Sequence, residues 1–248
     1  MLLEKLLEIA ILEDIGDGDH SSLSCIPNTA QGEVKLMVKQ QGIIAGVEIA
    51  EKVYAKIDAN IQFKRFIVDG KKVSFGDIVF SAKGKVHSLL QAERIVLNIM
   101  QRMSGIATQT RQYVDLIEGT KAKVLDTRKT TPGMRILDKM AVKIGGGENH
   151  RMGLYDMIML KDNHVDFAGG ITQAIDKANS YLKYTGKKLD IEVETRSIEE
   201  IKQVIAIGGV KRIMLDNFTP TQTAEAVKVI NGRFETESSG GITLETIR

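Results

Sequence analysis

After Thr108 the chain settles into a rhythm that few architectures can accommodate, in which short apolar segments alternate with stretches of helical spacing. The strand candidates are Ala122 to Leu125, Met157 to Leu160, Leu189 to Val193, Arg212 to Leu215 and Arg233 to Thr236. Helical patterns occupy Ile171 to Tyr184, Ser197 to Ile207 and Thr221 to Ile230. Strands joined through helices build a parallel sheet, because a parallel neighbour needs a long crossover. Each strand runs into a polar segment: Asp126-Thr127-Arg128-Lys129, Lys161-Asp162-Asn163-His164, Glu194-Thr195-Arg196, Asp216-Asn217 and Glu237-Ser238-Ser239-Gly240-Gly241. In α/β barrels and open α/β sheets the ligand is met at the carboxyl ends of the strands. Five successive strand ends that deliver ionic groups to one rim describe a site for a highly charged ligand.

The first part of the chain reads differently. Leu3, Leu6, Leu7, Ala10 and Ile11 share one face of an amphipathic helix spanning Met1 to Glu13. A half-wet strand comes next at Glu33 to Lys39, then a helix at Val47 to Ile57. Two short strands are expected at Phe63 to Val68 and Asp77 to Ala82, with turns at Asp69-Gly70 and Gly76-Asp77, and Ser88 is placed as the N-cap of a long helix. This divides the chain into an α/β domain over 1–107 and a βα-repeat domain over 108–248.

Composition narrows the function. With 34 Lys+Arg against 32 Asp+Glu over 248 residues, the chain lacks the basic excess of a nucleic-acid or anionic-membrane binder. A single cysteine, Cys25, excludes an internal disulfide framework and a thiolate metal cage, and it points to a reducing compartment. No apolar run approaches the roughly 20 residues of a membrane span, and the charged start is no signal peptide. A soluble, cytoplasmic protein is expected, with neither nucleic acid nor membrane as partner.

Several constellations could carry chemistry. Arg128 and Lys129 are adjacent cations, comfortable in water or against an anion: Arg offers a planar fork to a carboxylate, Lys a point charge to a phosphate. Gly145-Gly146-Gly147 precedes His150-Arg151, so backbone could approach a ligand closely beside two further donors. Glu192 and Glu194 share one strand face, and Asp216 ends the neighbouring strand. Such carboxylates suit either magnesium carried with phosphates or salt bridges to cations opposite. Zinc is disfavoured, since His20, His87, His150, His164 and Cys25 show no ligand spacing. Ser239 and Gly240 offer a hydroxyl and a free amide of the kind that binds phosphate.

Together these segments resemble the quinolinate phosphoribosyltransferase family. The resemblance is carried by Glu93-Arg94 with Leu97-Asn98, Met103-Ser104-Gly105-Ile106-Ala107-Thr108, Asp126 to Gly133, Gly145-Gly146-Gly147 with His150-Arg151, Leu160 to His164, Glu192-Val193-Glu194, Leu215 to Phe218, Glu237 to Gly241, and the early Glu13 to Asp19. It runs in order along essentially the whole chain. It implies an amino-terminal α/β sandwich domain plus an incomplete α/β barrel of the seven-stranded type. It also implies transfer of a phosphoribosyl group from 5-phosphoribosyl-1-pyrophosphate to quinolinate with decarboxylation, giving nicotinate mononucleotide in de novo NAD synthesis.

By motif position, Arg128, His150, Arg151 and Lys161 would bind quinolinate, with Arg94 supplied by a neighbouring subunit of a homodimer or larger homo-oligomer. Lys129 would face pyrophosphate, Glu194 and Asp216 would stabilise the sugar cation and place Mg2+, and Ser239 and Gly240 would sit near phosphate. The family continues past the point matched by Arg248 with a last strand and a Gly-rich turn, so the family's final strand region is expected to be absent from this chain. The alternatives are a related molybdate-transport-associated phosphoribosyltransferase-like protein, or an aldolase in which Lys161 or Lys129 forms a Schiff base.

Overall fold

A computed structural model describes residues 2–248. Its packing divides into two compact units, one ending at His150 and the other running from Arg151 to Arg248. The boundary expected at 107/108 falls inside a helix of the first unit.

The first unit opens with helix α1 (Leu2–Ile15) and a short α2 (His20–Cys25), whose first turn is capped by the Asp19 carboxylate accepting from the Ser22 amide at 3.2 Å. On α1 only Leu7 is fully buried, while Leu3, Leu6, Ala10 and Ile11 pack partly against the core. Then come β1 (Gln31–Met37), β2 (Gly42–Ile43), α3 (Val47–Ile57), β3 (Gln62–Arg65), β4 (Lys72–Val73) and β5 (Ile78–Lys85). Strands β1, β5 and β3 form an antiparallel sheet in that order, and β2 pairs with β4. Val34 and Leu36 alternate inward along β1 as its periodicity requires. Tyr54 on α3 meets Phe63 and Phe80 at ring-centroid distances of 5.8 and 6.0 Å, a knot that joins helix to sheet.

Helix α4 (Val86–Leu116) follows β5 without a loop, and α5 (Arg135–Ile144) packs against it. Ser88 is not the N-cap: that position belongs to Lys85, and Ser88 lies buried one turn in, donating to Asp58 Oδ2 at 3.0 Å. The strand expected at Ala122 to Leu125 is reduced to one parallel bridge, Leu125 to Glu148. Lys121, Ala122 and Lys123 are exposed and find no neighbouring strand within the unit.

The second unit alternates β6 (Ile158–Leu160), α6 (Asp162–Ala168), α7 (Ile171–Thr185), β7 (Ile191–Thr195), α8 (Ile198–Ile207), β8 (Arg212–Asp216), α9 (Pro220–Ile230) and β9 (Glu235–Ser239). The four strands are parallel and in sequence order. Side-chain caps start two of these helices: Ser197 Oγ caps α8, and Thr219 with Gln222 forms a capping box on α9, ahead of the helical pattern read from Thr221. Strand β9 begins later than the expected Arg233, because Asn231 and Gly232 turn with positive φ and the Arg233 guanidinium caps Val229 and Ile230 at the end of α9. Leu160, Ile191, Val193, Ile213 and Leu215 form the apolar face of the sheet, buried against Ile175, Ile201, Val204, Ala226 and Ile230 of the helices.

Candidate active site

The period of two that sends those apolar residues to the helices sends the intervening ones to the opposite face of the sheet. There the register aligns Met159, Glu192, Arg212 and Glu235 in one row and Glu194, Met214 and Glu237 in the next, with Asp216 and Ser239 beyond them. A sheet face this ionic must neutralise itself, and Arg212 is its hub. It donates to Glu235 Oε2 at 2.9 Å and Glu237 Oε2 at 3.0 Å, and it lies 3.7 Å from Glu192, which is wholly buried. Burial alone would lower the Arg212 guanidinium, but the hydrogen bond to Glu235 and the charges of Glu192 and Glu237 outweigh it and hold it above its ordinary value. Glu192 is therefore a salt-bridge carboxylate, the structural member of the pair recognised in the sequence.

Glu194, one rung nearer the carboxyl ends, meets the Lys161 ammonium at 3.1 Å. Lys161 immediately follows β6 and is the N-cap residue of α6, its amide donating to His164 Nδ1 at 3.0 Å. Arg151 reaches over β6, donating to the Met157 carbonyl at 3.3 Å and lying 3.5 Å from Met159 Sδ. At the end of β8, Asp216 Oδ2 accepts from Asn217 Nδ2 at 2.8 Å, while the Asn217 amide donates to the Ser239 carbonyl at 2.7 Å. Gly240 turns there with φ +86, and a Cβ on it would stand 2.1 Å from Asn217 Oδ1. Only glycine fits that turn. The second unit thus gathers Lys161 with Glu194, and Asp216 with Ser239 and Gly240, on the ends of neighbouring strands.

In the first unit, Arg128 is half-buried, and its Nε is shut off from water with no hydrogen-bond partner among the described residues. A buried guanidinium donor in that state is suited to an acceptor from outside the chain. Lys129 beside it is exposed. His150 is fixed at its main chain: its amide donates to Asp126 Oδ1 at 2.8 Å, and its carbonyl accepts from Lys139 Nζ at 3.0 Å. Arg94 is exposed on α4.

The three glycines expected to approach a ligand prove to serve packing as well. A Cβ on Gly145 would lie 2.6 Å from the Ala107 carbonyl oxygen, and one on Gly147 would lie 2.8 Å from Val142 and 2.9 Å from Thr110. Sequence reasoning also missed three ionic residues. Arg102 on α4 forks onto Asp138 at 2.6 and 2.7 Å, and Lys139 is buried against Asp126. Asp138 and Lys139 stand side by side on α5 and resemble a solvated pair until their partners are known.

A parallel sheet whose inner face is ionic, with cations and carboxylates at its strand ends, defines an α/β-barrel enzyme for a polyanionic substrate. Comparison with known proteins narrows that class. Residues 19–104 match the model of the N-terminal domain of quinolinate phosphoribosyl transferase, and residues 106–248 match that of its C-terminal domain. The decarboxylating quinolinate phosphoribosyltransferase 1b of Nicotiana tabacum is 44% identical over 99% of this chain and 74% of its own. The probable carboxylating nicotinate-nucleotide pyrophosphorylase of Bacillus subtilis is 42% identical, over 99% of this chain and 83% of its own. The crystal structure of NadC from Streptococcus pyogenes superposes with a TM-score of 0.92 at 38% identity, covering 99% of this chain and 85% of that one. The chain belongs to the quinolinate phosphoribosyltransferase family, with an N-terminal α/β domain and a C-terminal α/β barrel.

Proposed function

We infer that this chain joins the phosphoribosyl group of 5-phosphoribosyl-1-pyrophosphate to the ring nitrogen of quinolinate, releasing pyrophosphate and carbon dioxide and leaving nicotinate mononucleotide, a step of de novo NAD synthesis. Family membership over the whole chain supports the reaction. The single observation that carries the chemistry is the Lys161–Glu194 pair at 3.1 Å, on the strand end beside Asp216, Ser239 and Gly240.

Quinolinate brings two carboxylates, and the donors of suitable chemistry are Arg128, His150, Arg151 and Lys161. As the nitrogen lone pair forms its bond to ribose C1, the bond from C1 to pyrophosphate oxygen breaks, and positive charge develops on the sugar. The Glu194 carboxylate, already held by Lys161, is preorganised to stabilise that charge and does not reorganise to do so. Lys129 offers a point charge for the departing pyrophosphate. The bond from ring carbon to the adjacent carboxylate then breaks, its electrons drawn toward the cationic nitrogen, and the carbon takes a proton from water. No base is needed for this step. Lys161 acts here as the ammonium partner of Glu194, which is a different role from the free amine of a Schiff-base aldolase.

Mg2+ is the implied cofactor, bound with the pyrophosphate, and the donor set at Asp216 fits it. A half-buried carboxylate in register with a serine on the next strand suits an ion that keeps several waters. Glu194 would be the second residue near it, and the ion would supply neutralisation of the leaving pyrophosphate. No helix among the described residues is long and apolar enough to cross a membrane. We place the protein in the cytoplasm, as a homodimer or larger homo-oligomer in which Arg94 serves the neighbouring subunit.

One assay tests the reading. Quinolinate, 5-phosphoribosyl-1-pyrophosphate and magnesium should give nicotinate mononucleotide and carbon dioxide, and omitting any one of the three should stop both products. Glu194→Gln should lower kcat by about 10²–10³-fold, the scale of losing one preorganised electrostatic group. Turnover of nicotinate in place of quinolinate, without carbon dioxide, would defeat the proposal.

A further inference from the structure

In the first unit, the two segments that carry Arg128 and His150 are joined through one buried ion pair. Lys139 on α5 has a side chain 1% exposed, and Asp126, directly after the Leu125 bridge, has one 7% exposed. The Lys139 ammonium contacts Asp126 Oδ1 and donates to the His150 carbonyl at 3.0 Å. Asp126 Oδ1 also accepts the His150 amide at 2.8 Å. With its side-chain amide turned so that nitrogen faces inward, Asn149 Nδ2 closes the ring, donating to Asp126 Oδ2 at 2.8 Å and to the Lys139 carbonyl at 3.0 Å. Around this ring the main chains pair, the Asp126 amide donating to the Glu148 carbonyl at 3.1 Å and the Glu148 amide to the Val124 carbonyl at 2.8 Å.

A core does not need charges for its stability. A buried ion pair costs desolvation that its attraction barely offsets, and apolar residues of similar size serve packing as well or better. What this pair supplies is direction: one end fixes the His150 amide, the other fixes its carbonyl, and Asp126 stands two residues before Arg128. We propose that Asp126 and Lys139 are positioning residues for quinolinate, which hold the His150 main chain and the Arg128 segment in the arrangement that receives a dianion. Neither touches the substrate, and the inference rests on the reaction proposed above.

The test uses two variants of the full chain, steady-state kinetics for each substrate, and thermal melts. Lys139→Met leaves a buried carboxylate without its cation and should lower Tm. Asp126→Asn combined with Lys139→Met removes both charges while keeping an acceptor for the His150 amide, and its Tm should return toward wild type. Both variants should raise the KM for quinolinate about tenfold, a modest share of what an ångström of misplacement costs. The KM for 5-phosphoribosyl-1-pyrophosphate should stay within about twofold, which a general loosening of the fold would not give. The proposal is overturned if the double variant binds quinolinate as wild type does, if both KM values rise together, or if that variant fails to fold. Wild-type protein with no turnover of quinolinate would instead defeat the reaction, a failure separable from this one.

Discussion

Tyr54 and Gly240 show how much a single position can decide. Burial first, and the nearby Glu93 carboxylate second, push the Tyr54 phenol up to about 12. An unfolded chain releases that proton near pH 10, so the unfolded state binds fewer protons between about pH 10 and 12 and stability falls as pH rises through this window. Tyr54→Phe should remove that part of the alkaline loss. Denaturant unfolding of both proteins at a series of pH values checks it, and parallel curves would refute it. Gly240 answers to two constraints at once, a φ of +86 and the 2.1 Å approach to Asn217 Oδ1. Gly240→Ala should displace the turn after β9 and raise the KM for 5-phosphoribosyl-1-pyrophosphate by about tenfold or more. The positive φ and the clash should also lower Tm by roughly 2–4 °C, while the KM for quinolinate should stay near wild type, so kinetics and melting separate the local effect from a general one.

Among the elements, those that carry a signal within their own segment were legible, as particular cases illustrate. Val47–Ile57 carries its own apolar stripe, and α8 and α9 were read from the helical spacing of their own residues. Ala122 to Leu125 has the composition of a strand but meets only Glu148, at Leu125, and composition cannot supply a neighbour. Helix α5 went unread because its charged residues Asp138 and Lys139 point inward to Arg102 and Asp126, partners 36 and 13 residues away. The closeness of α5 to α4 rests on Gly145. Its φ of −68 would suit alanine, so the obstacle is purely steric: a Cβ at 2.6 Å from the Ala107 carbonyl and 2.7 Å from Thr110. Gly145→Ala should therefore cost about 2 kcal/mol as an overpacking change and lower Tm by roughly 4–8 °C, measured by calorimetry. An unchanged melt would show that α5 moves away freely.

For the molecule as a whole, assembly is the open dependence. Arg94 is exposed on α4, and the proposal gives it to another subunit's site. Arg94→Ala alone and Glu194→Gln alone should each be nearly inactive, yet mixed after dissociation and reassociation they should recover activity. In a dimer with random exchange, half the molecules would be mixed and each would hold one intact site, giving about a quarter of wild-type turnover. Mixtures that stay inactive would show that Arg94 serves its own chain or none.

The sequence by itself determined the βα rhythm, the polar strand ends, the single cysteine and, through its ordered motifs, the family. Each of these is written in local periodicity or in residues close along the chain. Only the folded chain decided that Glu192 answers to Arg212 while Glu194 answers to Lys161, that the glycines after α5 pack against α4, and that Lys139 holds His150. Those choices depend on which groups burial brings within about 3 Å of one another, where water no longer screens them and an unpaired charge becomes costly.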